Sequence, residues 1–295
     1  MSSTPSDAVI VWGEVLWDRF THGDELGGAP ANVAWHLGLA GGWPRLVSRV
    51  GADDLGRRAL ARLGEVVDAD LVQVDPQRPT GEVRVELEGG EPRYELVRGC
   101  AWEAIECTAD VRAALGEAGV LVFGSLAQRS KTGYGNWCDA LTAAAKTCVK
   151  VCDINLRAGD GDATHVRAAL DAADVIKVND RELAWLRDWR GWADPIAELR
   201  RRAGIVAVTH GAAGSTLFGE GRAIEIAADP ASSPAGDHVG CGDAYLAILV
   251  HGMTCGWDLE TSGRAASRWA AAVAGVRGAT PWFSEEQAAD LLEAA

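Results

Sequence analysis

From Val120 onward, short apolar runs alternate with helical stretches in a way that leaves few folds open to the chain. Val120 to Phe123, Val149 to Cys152, Val175 to Val178 and Ile205 to Val208 read as buried strands. Thr132 to Ala145, Ala163 to Ala172, Asp180 to Leu186 and Pro195 to Ala203 read as the helices between and after them. Strands linked through helices run parallel, and runs apolar on both faces need helices on both sides of the sheet. The expected fold class is therefore α/β, a doubly wound, mostly parallel sheet flanked by helices. Three further helices, Gly240 to His251, Ser262 to Val276 and Ser284 to Glu293, close the chain.

The N-terminal part adds a strand at Val9 to Val11, followed by Glu14, Asp18 and a polar loop through His22, Gly23 and Asp24. Gly27-Gly28-Ala29-Pro30-Ala31-Asn32 opens a helix with Pro30 in its first turn, where a missing N–H costs nothing. Leu46 to Val50 reads as a strand, and Asp53 or Asp54 as the cap of a helix from Leu55 to Leu63. Thr80 to Val97 is different. Val83, Val85 and Leu87 alternate with charged residues, Glu88-Gly89-Gly90 supplies a turn, and the alternation resumes at Tyr94. One wet face does not suit a buried parallel sheet, so this hairpin is placed outside it as a flap or a subunit contact. A length of 295 residues fits one α/β domain, with a lid made from segments near Leu16 to Glu25 and Thr80 to Val97.

A net charge of −14 argues against a surface built for nucleic acid or an anionic membrane. An anionic ligand must then be held locally, by helix ends, a few cationic side chains or a divalent ion. Seven scattered cysteines without a CxxC pair exclude a disulfide framework and a structural zinc site. There is no signal pattern at Met1 to Asp7 and no apolar run of membrane-spanning length, which makes the cytoplasm the expected location.

In open α/β sheets ligands bind beyond the carboxyl ends of the strands. Asp153, Asn155 and Arg157 follow one strand, Asn179 and Glu182 the next, and Thr209, Gly211 and Gly214 a third. Asp237-His238-Val239-Gly240-Cys241-Gly242-Asp243 runs into an apolar helix. Its glycines allow consecutive N–H groups to face an anion at a helix N-terminus, and Asp243 stands beside that anion as a base for an attacking hydroxyl. Read alone, the stretch also fits a tight turn with a capping acid.

Gly27 to Ala34 with Val50-Gly51-Ala52-Asp53-Asp54-Leu55-Gly56 resembles the N-terminal signature of the ribokinase-like (PfkB) sugar kinases. Asp237 to Asp243 resembles their C-terminal one, and three motifs lie between in family order: Asp153 to Arg157, Lys177 to Glu182 and Val208 to Gly214. The resemblance spans nearly the whole chain. It implies that Asp243 deprotonates a sugar hydroxyl and that the amides of Gly240, Cys241 and Gly242 form the anion hole. It implies that Asp18, Gly28 and Asn32 meet sugar hydroxyls and that Arg157 meets sugar or phosphate. Lys177, Asn179, Thr209, Gly211 and Gly214 would line the nucleotide, with ATP as donor, and Asn179 and Glu182 would order the waters of Mg²⁺. Backbone oxygens near Asp237 to Val239 and Ala274 to Gly278 would hold a monovalent cation such as K⁺.

His238 and Cys241 depart from the family's usual Thr and Ala. Trp12, Trp17, Trp35 and Trp102 flank the sugar side, and Trp17 and Trp102 border the flap segments. An indole there packs on a sugar ring or in the core. The first signature and Gly13 to Asp18 are similar to the fructokinase branch, which points to fructose and a primary hydroxyl. Ribose, 2-keto-3-deoxygluconate or a nucleoside, and a non-catalytic sugar sensor, remain as alternatives. Strand edges in the lid hairpin invite pairing, hence a homodimer.

Overall fold

The computed structural model describes residues 8–20, 23–88, 91–156, 164–230 and 236–293. In chain order the strands are β1 (Val9–Trp12), β2 (Leu16–Phe20), β3 (Gly23–Gly27), β4 (Arg45–Gly51), β5 (Val72–Asp75), β6 (Gly81–Glu88), β7 (Glu91–Leu96), β8 (Val120–Phe123), β9 (Val149–Asp153), β10 (Val175–Asn179), β11 (Ile205–Thr209), β12 (Ser215–Gly219) and β13 (Arg222–Ile226). The helices are α1 (Ala29–Leu39), α2 (Asp54–Leu63), α3 (Ala109–Glu117), α4 (Lys131–Ala143), α5 (Thr164–Ala172), α6 (Asp180–Arg190), α7 (Pro195–Arg200), α8 (Cys241–Thr254), α9 (Leu259–Ala274) and α10 (Glu285–Leu292).

Nine strands form the main sheet in the order β13-β12-β11-β10-β9-β8-β1-β4-β5. Every pairing from β11 to β5 is parallel. The register explains the double cover. Val9, Val120, Val149 and their neighbours Val151 and Val175 turn to one face, while Ile10, Leu121, Cys152 and Ile176 turn to the other. Each set belongs to a separate apolar core, so both faces of these strands are dry. A third core lies between α8, α9 and β12 and β13, centred on Trp269.

Four strands lie apart in a second sheet, ordered β3-β2-β6-β7. The polar stretch expected as a loop after Asp18 is here β2 paired antiparallel with β3, with Asp18 opposite Glu25. Its alternation of charged and apolar residues suits a sheet with one wet face. β6 and β7 form the expected hairpin, in register from Val83 with Leu96 to Glu88 with Glu91, and its turn at 89–90 lies outside the described residues. Asp53 ties this sheet to the main one. Its carboxylate caps α2 through Gly56 N at 2.8 Å and accepts from Thr80 N at 2.8 Å and Thr80 Oγ1 at 2.6 Å, just before β6 starts.

Three features were not anticipated. β5 and α3 are short and lack a clean period. β12 and β13 form an antiparallel hairpin at the sheet edge, turning through Glu220 and Gly221 with φ of 53° and 78°. Leu217, Ile224 and Ile226 of that hairpin are buried in the third core, and it walls one side of the cleft described below.

Candidate active site

The glycine-punctuated turn enters α8 as expected. Gly240 caps the helix at φ 76°, a left-handed backbone that suits glycine, and no side chain caps the first turn. A methyl group on Gly240 would stand 2.6 Å from Ala279 Cβ and 2.7 Å from its Cα, so the site has no room for a side chain either. The N-terminal amides of α8 are thus left for a ligand at the positive end of the helix. Cys241 adds no charge to this end. Burial, then the carboxylates of Asp237 and Asp243, pushes its thiol up to about 11.

Asp243, in that first turn, is 8% exposed. Asn32 Nδ2 donates to Asp243 Oδ2 at 2.8 Å, which brings the two signatures together. Asn32 Oδ1 is buried and has no hydrogen-bond partner, an acceptor available to a substrate hydroxyl. Gly28, before α1, has φ 102°, and its backbone packs on Glu14. Asp18 is half-buried on β2, with Oδ2 2.5 Å from the position a Cβ on Gly27 would take. Asp18, Gly27, Gly28 and Asn32 thus cluster at the root of the second sheet. Arg157 lies outside the described residues.

Lys177, expected along the nucleotide, is buried beside the glycine turn. Its Nζ pairs with Asp153 Oδ2 at 2.7 Å, with both side chains 6% exposed. It also lies 2.8 Å from where a Cβ on Gly242 would be, directly behind the glycine turn. Burial pulls the ammonium down, but the carboxylates of Asp153, Glu182 and Asp243 and the Asp153 hydrogen bond outweigh it and hold the group above the ordinary lysine value. The reason is register: β9 places Asp153 directly beside Lys177 on the neighbouring strand.

Asn179 and Glu182 form a capping box at the start of α6. Glu182 N donates to Asn179 Oδ1 at 3.0 Å and Asn179 N to Glu182 Oε2 at 2.8 Å. Leu156 N donates to Glu182 Oε1 at 3.0 Å. Burial, then the Asp153 charge, raises the Glu182 carboxyl above its usual range against Lys177 and these two amides. Asp153 Oδ1 is buried without a hydrogen-bond partner. Among the described residues no three His, Cys, Asp or Glu side chains are placed to grip a metal directly. An acidic set of this kind fits an ion that keeps its waters, and the orphaned Asp153 oxygen fits one such water.

Beside the turn opens a cavity of about 430 Å³. Thr209, Gly211, Gly214 and Ser215 line one wall, His238, Cys241, Gly242 and Tyr245 another, and Ser267, Ala270, Ala271 and Ala274 of α9 a third. The volume falls in the range of small-molecule sites. Tyr245, Ser215, Asp229 and the alanine face of α9 were missed by sequence reading; the alanine-rich run was the available signal, since small side chains leave space beside a helix. Tyr245 and Ser215 exchange a hydrogen bond of 2.8 Å, and burial pushes the phenol up to about 12. His238 is exposed, with φ 59°, at the cavity mouth. Asp237 bridges the loops expected to meet: its Oδ1 accepts from Val239 N and its Oδ2 from Gly278 N, both at 3.1 Å.

The tryptophans expected to flank the sugar are packed in the core. Trp12, Trp35 and Trp102 are at most 1% exposed and Trp17 6%. Trp17 Nε1 donates to Leu55 O at 3.0 Å with the Arg58 guanidinium 4.6 Å from its ring, and Arg129 stands 4.6 Å from the Trp102 ring. Cations and apolar neighbours occupy the faces a sugar would need.

The sequence profile of the pfkB family carbohydrate kinase matches residues 15–286. The chain belongs to this family of sugar kinases. A fructokinase of Klebsiella pneumoniae is 31% identical to this family member over 261 residues, covering 83% of the chain and 84% of the relative. The fold agrees with solved kinases. A fructokinase from Xylella fastidiosa with bound ATP superposes with a TM-score of 0.86 at 21% identity, covering 97% of this chain and 98% of that one. A ribokinase of Arabidopsis thaliana complexed with ribose and ATP superposes at 0.80 and 23% identity, covering 97% and 98%. No helix among the described residues of this kinase is long and apolar enough to cross a membrane.

Proposed function

We propose that this kinase transfers the γ-phosphoryl group of ATP to a primary hydroxyl of fructose. The observation that carries the reading is Asp243, buried in the first turn of an uncapped helix and held by Asn32 of the other signature. In the reaction the acceptor oxygen forms the new P–O bond, the bond to the β-phosphate oxygen breaks, ADP leaves, and the hydroxyl proton passes to Asp243. The amides of Gly240, Cys241 and Gly242 meet the charge spread over the transferred group. Asn32 offers Oδ1 to the acceptor while orienting the base, and Asp18 and the Gly28 backbone complete the sugar side, with Arg157 expected there too.

The cavity lined by Thr209, Gly211 and Gly214 takes the nucleotide. Mg²⁺, when bound, supplies a counter-charge to the phosphates, and Asn179, Glu182 and Asp153 would hold its waters. Carbonyls near Asp237, Val239 and Gly278 suit K⁺. We read the two sheets as one domain with a lid whose closure excludes water, so that ATP is not hydrolysed in place of transfer. Free edges of the lid sheet suit pairing with a second copy.

The fructokinase relative and the similarity of the first signature and of Gly13 to Asp18 to that branch support fructose over other sugars. The test is ADP release from Mg·ATP with fructose, ribose, 2-keto-3-deoxygluconate, tagatose and adenosine, each with and without K⁺. Turnover on fructose above the rest is expected. Turnover on another acceptor keeps the chemistry and rejects fructose, and silence on all five with measurable sugar binding supports the sensor.

A further inference from the structure

Behind the anion-binding turn, α1 and α2 together grip three successive carbonyls of the segment after α9. His36 reaches Ala279 O at 3.0 Å, Trp35 Nε1 donates to Pro281 O at 2.8 Å, and Arg62 of α2 reaches between them to Thr280 O at 3.3 Å. The His36 contact is the one that bears on the turn, because Ala279 is the residue packed against Gly240. The imidazole is wholly buried, and Trp269 Nε1 donates to its Nδ1 at 3.1 Å. A nitrogen that accepts carries no proton, so in the neutral ring Nε2 carries it and donates to Ala279. Burial keeps the ring neutral by pulling it down to about 4, against the Ala279 hydrogen bond. His36 also stands one helical turn beyond Asn32 on α1, so one helix faces the acceptor and braces the turn.

We infer that His36 is a positioning residue for phosphoryl transfer: through Ala279 it holds Gly240 in its left-handed conformation and so aims the α8 amides at the γ-phosphate. The inference rests on the reading of Gly240 to Gly242 as the anion hole. Ala279 fills the place a side chain on Gly240 would take, so a shift of Ala279 changes the room that holds the turn, and errors of an ångström in such donors weaken their hold on the reacting group.

The test needs no acceptor sugar. Dissociation constants of Mg·ADP and of the Mg²⁺ complex of the imido analogue of ATP are measured on the full chain by calorimetry. The two probes differ in the γ-phosphate, so their ratio reports on the anion hole. His36→Leu is expected to keep ADP affinity within about threefold and to lose about fivefold or more of the preference for the analogue. His36→Gln, whose amide can donate to Ala279 in place of Nε2, is expected to keep that preference. A preference unchanged in His36→Leu, including the case where both affinities fall together, would overturn the role, as would equal loss in both variants. If His36→Leu does not fold, Trp269→Phe removes the N–H donated to Nδ1 and keeps an aromatic ring in the core; with ADP affinity kept within about threefold, a loss of about threefold or more in the preference supports the inference and an unchanged ratio overturns it. A wild-type protein that does not prefer the analogue sinks the anion-hole reading itself.

Discussion

Asn32 Nδ2 and Asp243 Oδ2 are joined by a 2.8 Å hydrogen bond between residues 211 positions apart. One amide therefore orients the proposed base and still presents Oδ1 to whatever binds beside it. Asp243→Asn should lower kcat by about two to four powers of ten while leaving acceptor binding within a few fold, the pattern for loss of a positioned base. Steady-state kinetics with calorimetric binding of the acceptor checks this, and surviving turnover would reassign the base.

Asn32→Asp tests the same contact through charge. Two carboxylates at this distance raise the value at which the pair loses its second proton, because the charge left by the first ionisation disfavours the next. The acid limb of the kcat profile should move up by about one pH unit or more. Asn32→Ala, which removes one donor from the carboxylate, should move that limb up by less than Asn32→Asp does and raise the KM for the acceptor.

Lys177 and Asp153 form a buried pair behind the turn. Lys177→Met removes one partner and leaves a buried carboxylate beside Glu182, at a cost of about 3–5 kcal/mol. Lys177→Met with Asp153→Leu removes both charges and should restore most of that stability. Urea titration of the two variants decides; equal stability of single and double would show that the pair is solvated.

His36 makes folding pH-dependent. Its folded-state value is about 4 against an ordinary 6.5, so between these limits the unfolded chain takes up a proton that the folded one refuses. The contribution is fully present above pH 6.5 and falls as acid is added toward pH 4, by about 3 kcal/mol in all. The difference in unfolding free energy between wild type and His36→Gln, followed from pH 7 to 4, should therefore shrink at low pH. A difference independent of pH would show that the ring titrates normally.

Much of this kinase was legible before folding because its signals are local. The apolar runs of β8 to β11, the turn into α8 and the acids after β9 and β10 are consecutive residues whose neighbours dictate their conformation. β12 and β13 escaped notice because only Leu217 and the isoleucines mark their buried side, and the polar stretch around Asp18 became strands because partners in β3 and β6 complete its hydrogen bonds.

The site divides along the same line. By itself the sequence determined that a flexible glycine turn meets a helix with an acid in its first turn, that strand ends carry polar groups, and that a wet-faced hairpin stands outside the main sheet. Only the tertiary structure decided that Lys177 pairs with Asp153, that four tryptophans are buried in the core, and that Ala279, held by His36, backs Gly240. A buried charge takes the nearest opposite charge and a large ring the nearest dry space, and which these are depends on segments that come together only when the chain is packed.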